Sequence, residues 1–181
     1  MQAHTLLRLA GAVALLGGVL RIVAVFAPEL GGPLRVQGVY LTVDTVLLLG
    51  VIGIWGEGAR RLGKVGAAEF VLSVAGVCVV RSQAAFGLGA YAAGASLFGV
   101  GMAAIGGRML VDRAAPRLGP ALWIATLIVG ALGPLLADEE KARLAAGIVF
   151  ALGFIAAGLS LMRSNSLLLA TPGSRPNPLG V

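Results

Sequence analysis

Apolar positions in this chain come in six long runs, at about residues 5–27, 36–56, 65–81, 84–107, 118–137 and 142–162, with short polar breaks between them. Runs of roughly 17–25 mainly apolar residues match the hydrocarbon thickness of a bilayer when they coil into helices. Barrel strands would alternate apolar and polar side chains, and these runs do not. The third and fourth runs are parted only by Arg81-Ser82-Gln83. Together they are too long to cross once, so a tight turn between antiparallel helices is predicted there. The 65–81 run is the shortest and contains Glu69, which makes it the weakest candidate for a full crossing.

The predicted fold is all-α: a polytopic integral membrane protein whose six-transmembrane-helix bundle fills residues 1–163. A disordered cytoplasmic tail over 164–181 follows, with its Thr171-Pro172-Gly173-Ser174-Arg175-Pro176 stretch. Loops this short make consecutive helices antiparallel neighbours. With the N-terminus inside, Arg8, Arg60, Arg61, Lys64, Arg108, Arg113, Arg117, Arg163 and Arg175 gather on one side. Arg35, Arg81, Lys141 and Arg143 remain on the other. That bias predicts an N-in/C-in orientation, because Lys and Arg accumulate in cytoplasmic loops. The Ala-, Gly-, Leu-, Val- and Arg-heavy composition resembles that of small six-helix inner-membrane proteins of high-GC bacteria, which implies a bacterial cytoplasmic (inner) membrane.

Composition agrees with that pattern. Hydrophobic residues make up 58% of the 181 and charged residues 12%, about half the roughly 25% charge of a soluble domain. The net charge of +6 raises the question of nucleic acid. The basic residues form no stripe and no aromatic platform, so no nucleic-acid partner is expected. A single cysteine, Cys78, and a single histidine, His4, provide neither a disulfide nor a zinc ligand set, and no metal or cofactor is expected. Cys78 lies inside an apolar run and is expected to be buried as a small apolar residue.

Glycine changes the picture more. There are 28, and in the fourth run Ala95, Gly99, Ala103 and Gly107 recur every fourth residue, as do Ala85, Gly89 and Ala93. Such rows let helix backbones approach closely. They fit packing within the bundle, or a face for a membrane-protein partner or a second copy of the chain. Gly133-Pro134 should kink or end the fifth helix.

Candidate chemistry is sparse. A charge inside a span costs about 2.5–3.5 kcal/mol on insertion scales, so it should find a partner. Arg21 in the first run and Asp44 in the second each lie six residues from the same end of their helices, about 9 Å deep. They are expected to pair. Tyr40, Thr42 and Thr45 flank Asp44 and could hydrogen-bond its carboxylate, which makes Arg21, Asp44, Tyr40 and Thr45 a candidate polar site. Glu69 is expected to pair with Arg60, Arg61 or Lys64, or to carry protons along a face continued by Ser73 and Gly76. Glu57 and Asp112 fit solvated loop pairs. The chain has no phosphate-binding loop, dinucleotide fingerprint, zinc-protease motif or serine elbow. A non-enzymatic accessory or scaffold subunit acting through helix–helix contacts is the leading expectation. The alternative is a small permease or proton-coupled transporter built on Arg21 and Asp44.

Overall fold

A computed structural model describes residues 3–25, 32–82, 88–111, 117–132 and 139–169. Within them the chain is helical throughout: α1 (Ala3–Val23), α2 (Pro33–Arg81), α3 (Leu88–Val111), α4 (Leu118–Leu132) and α5 (Glu139–Leu169). One residue breaks α2 into two arms. Gly63 has φ 60° and ψ −159°, a conformation essentially confined to glycine because it places a Cβ against the backbone. The apolar arms, Arg35–Gly56 and Leu62–Arg81, therefore count as two helices, making six. Five of the six are long and apolar enough to cross a membrane.

The exception is not the one expected. The second arm of α2, predicted as the weakest crossing, spans 20 residues, whereas the described part of α4 spans 15, about 22 Å of helix against a hydrocarbon core of about 30 Å. The described part of α4 stops at Leu132, one residue before Gly133-Pro134. It still runs most of the bundle's height. Gly106 lies against Pro120 and Gly99 against Leu127, an antiparallel register that carries α4 to the level of Gly94. At its other end α5 continues to Leu169, into the segment expected to be tail. Gly133-Pro134, Ala85, Asp112, Arg113, Asp138 and the chain from Ala170 lie outside the described residues, as do the side chains of Glu57, Arg60 and Arg61.

Glycines set the neighbours. On α1, Ala10, Ala14 and Gly17 meet Gly53, Gly50 and Leu47 of the first arm, while Gly11 and Gly18 meet Gly158 and Ala151 of α5. The first arm meets the second through Trp55, stacked on Phe70 at 5.2 Å. Gly76 of the second arm sits on Gly94 and Phe98 of α3, and Ser73 on Gly101. Next, α3 meets α4 at Gly106 and Pro120, and α4 meets α5 at Gly119 and Gly153. The helices thus form a ring in chain order, closed by α1 against α5. The space between α3, α4 and α5 is filled by aromatic rings: Phe98 lies edge-on to Phe150 at 5.0 Å, and Trp123 edge-on to Phe154 at 5.4 Å. Such edge-to-face contacts add about 0.5–1.5 kcal/mol each to simple burial.

The predicted small-residue row does little of this work. Ala103 is buried, but Ala95 is exposed, a Cβ on Gly107 or Gly89 would meet nothing within 4 Å, and Gly99 makes only an ordinary contact to Leu127. The close approaches on α3 come from Gly94, Gly101 and Gly106 instead, because that face turns toward the second arm and α4. Cys78, expected to be buried, is exposed on the outer surface of the second arm.

Candidate functional site

The first two helices do not form the expected ion pair. Asp44 is held by Arg81, whose Nε donates to Oδ2 at 2.6 Å and whose Nη2 donates to the same oxygen. Both side chains are largely withdrawn from the surface, at 17% exposure for Asp44 and 30% for Arg81. The reason is one of direction. The register of α1 on the first arm places Arg21 level with Val43 and Asp44, so the depth inferred from the sequence is right. But Val43, Leu47, Val51 and Ile54 form the buried face, and Asp44 lies one residue around, on the same stripe as Trp55. That stripe faces the second arm. Eleven residues separate Asp44 from Trp55 and eleven separate Phe70 from Arg81, so the aromatic stack and the ion pair obey one antiparallel register.

Arg21 instead reaches toward α5. Its Nη2 lies 3.7 Å from where a Cβ on Gly147 would stand, and it attracts Asp44 only through space. The hydroxyls around Asp44 are also turned elsewhere. Thr42 donates to the Gly38 carbonyl at 2.9 Å and Thr45 to the Leu41 carbonyl at 2.8 Å, each within its own helix and on an exposed face. Tyr40 packs partly buried against the hydrophobic core.

A second ion pair marks the other end of the second arm. The Arg108 Nε, in the last turn of α3, donates to Glu69 Oε1 at 2.7 Å. The expected partners of Glu69 were Arg60, Arg61 and Lys64, close in sequence. Arg108 takes the place because Ser73 and Gly101 bring the two helices nearly into backbone contact there. Ser73 is fully buried and donates to the Glu69 carbonyl at 3.0 Å. Glu69 Oε2 is buried without a hydrogen-bond partner among the described residues, as is the indole nitrogen of Trp123, which lies flat on Gly153. The second arm thus carries an acid and a base twelve residues apart, about 18 Å along its axis. One ties it to α3 and the other to the first arm.

Of the sequence-derived site residues, Asp44 alone sits in an ion pair at that end of the bundle, with Arg21 nearby and Tyr40 and Thr45 apart from it. Arg81 and Arg108 were missed as partners. Two sequence intervals of eleven, each pairing a charge with an aromatic residue on the two arms of one hairpin, were the available signal for Arg81. Among the described residues no group of His, Cys, Asp and Glu could hold a metal ion. No family model, curated protein or solved structure matches the chain, so the functional reading rests on this geometry.

Proposed function

We propose that the chain is an integral protein of a bacterial cytoplasmic membrane, oriented N-in/C-in, and a non-enzymatic accessory or scaffold subunit that works through helix–helix contacts. One observation carries this reading. Asp44 and Glu69, the carboxylates described within the membrane-length arms, are each engaged by an arginine of a neighbouring helix. Polar groups at these depths are costly to carry, and here they are committed to holding helices together. The Thr42, Thr45, Ser73 and Thr126 hydroxyls are likewise spent on carbonyls of their own helices, so they converge on no common point where a substrate would react.

The outward faces support the same reading. Leu41, Leu49, Ile52, Val71, Val100 and Ile128 are all more than 45% exposed, which suits lipid tails or another apolar helix. The small residues Ala95 and Gly107, open on the surface of α3, would admit a close helix partner. Extraction from the native membrane in mild detergent, followed by native mass spectrometry, tests this. The expected result is a stoichiometric protein partner or a homo-oligomer, weakened when Ala95 and Gly107 are replaced by leucine. A monomer without protein partners would refute it.

The permease reading has one observation in its favour, the charge of Arg21 lying beside Asp44 without a hydrogen bond to it. It requires Asp44 to leave Arg81 during a transport cycle. Proton uptake by reconstituted vesicles that disappears in Asp44→Asn would favour it over the scaffold reading.

A further inference from the structure

Two guanidinium groups and one carboxylate meet at the end of the bundle where α1 finishes. Asp44 takes both of its hydrogen bonds from Arg81. Arg21, in the last turn of α1, is half-buried and has no hydrogen-bond or ion-pair partner among the described residues. It is not simply pointing into lipid. Its Nη2 packs beside Gly147 at the junction of α1 and α5, and it senses Asp44 through space. Among these three described side chains the charge is therefore in excess by one cation. Lys141 and Arg143, at the start of α5, are exposed beside Glu140 and engaged in contacts of their own, so they do not supply Arg21 with a counter-charge.

An unneutralised guanidinium at this depth is expensive unless something else supplies the negative charge. Arg21 stands two residues from the last residue of α1, close enough for its long side chain to reach toward the headgroup layer, and phosphate is the abundant oxyanion there. The planar guanidinium fork suits a phosphate, offering two parallel donors. We propose that the junction of α1, the first arm of α2 and α5 is a phosphate-binding site. Arg21 is its principal donor, Gly147 lies beside the guanidinium, and the Asp44–Arg81 pair flanks it. The phosphate is either that of an anionic phospholipid headgroup or free inorganic phosphate.

The test uses the full chain, purified in neutral detergent and stripped of lipid. In one arm it is titrated with inorganic phosphate, and in the other with phosphatidylglycerol against diacylglycerol, which lacks the phosphate. Saturable adducts are counted by native mass spectrometry, and thermal unfolding is followed alongside. The expected result is saturable binding of phosphatidylglycerol or of phosphate, but not of diacylglycerol, with the binding arm naming the source. Arg21→Gln should weaken that binding about tenfold and still leave the lipid-free protein folded, since Arg21 has no hydrogen-bond or ion-pair partner among the described residues. Arg35→Gln, which removes an exposed arginine at the same end, should change it by less than about twofold. Arg21→Lys keeps the charge but loses the fork, so its binding should fall between the two. Absence of saturable binding in both arms would overturn the proposal. So would equal binding by Arg21→Gln, or an equal loss in Arg35→Gln.

Discussion

Replacing Gly76 by alanine probes one of the tightest helix contacts among the described residues. A Cβ built there would press on the Phe98 amide nitrogen and lie 2.8 Å from both the Gly94 carbonyl oxygen and the Phe98 Cα. These are backbone atoms, so no rotamer change relieves the clash. Ordinary Cβ contacts begin at 3.4 Å, so moving from 2.8 to 3.4 Å opens the second arm from α3 by at least about 0.6 Å. A radial gap of that size forfeits roughly a quarter to a half of the dispersion energy of each atom pair across it. Overpacking of this kind costs about 1–3 kcal/mol. Alanine returns up to about 1 kcal/mol in helix propensity, which leaves a net loss of about 0–2 kcal/mol. Gly107→Ala, on α3 itself, meets nothing within 4 Å and keeps only the gain. Unfolding of both variants in the same detergent, titrated with SDS and followed by circular dichroism, measures the difference. The expected order is Gly107→Ala at or above wild type, with Gly76→Ala lower than it by about 2 kcal/mol. Equal stability of the two variants would refute the packing argument.

Two further outcomes follow from the geometry. Arg81→Ala strands Asp44 inside its arm and should cost about 2–3 kcal/mol, whereas Asp44→Ala leaves Arg81 at a helix C-terminus, where it can snorkel outward, and should cost under about 1 kcal/mol. The double variant should then be more stable than Arg81→Ala alone, and additive losses in the same unfolding assay would show that the two residues do not interact. Gly63→Ala forces a Cβ into a conformation almost restricted to glycine, so a loss of about 1–3 kcal/mol is expected by thermal unfolding; an unchanged melting temperature would mean the arms reverse in some other way.

The architecture was largely legible in the sequence because membrane-length apolar runs are coarse signals. Helix number, the antiparallel order and the depth of Arg21 relative to Asp44 need only length and a rise of about 1.5 Å per residue. Rotation about each helix axis was the hidden variable. A shift of one residue turns a helix by about 100°, and it is this that sends Asp44 toward the second arm instead of toward α1. The same ambiguity hid Gly94 and Gly101 as the contact glycines on α3 and turned Cys78 to the outside. The Glu69–Arg108 pair needed tertiary information, since residues 39 apart in sequence meet only once the second arm and α3 are packed.

The central claim is that Asp44 joins the two arms of α2 and not α1 to α2. Charge exchange tests it most directly, with the fraction of folded protein recovered from membranes read by size-exclusion chromatography. Asp44→Arg with Arg81→Asp should restore most of the folded yield lost in either single variant, and Asp44→Arg with Arg21→Asp should not. Rescue by the Arg21 exchange without rescue by the Arg81 exchange would contradict the account.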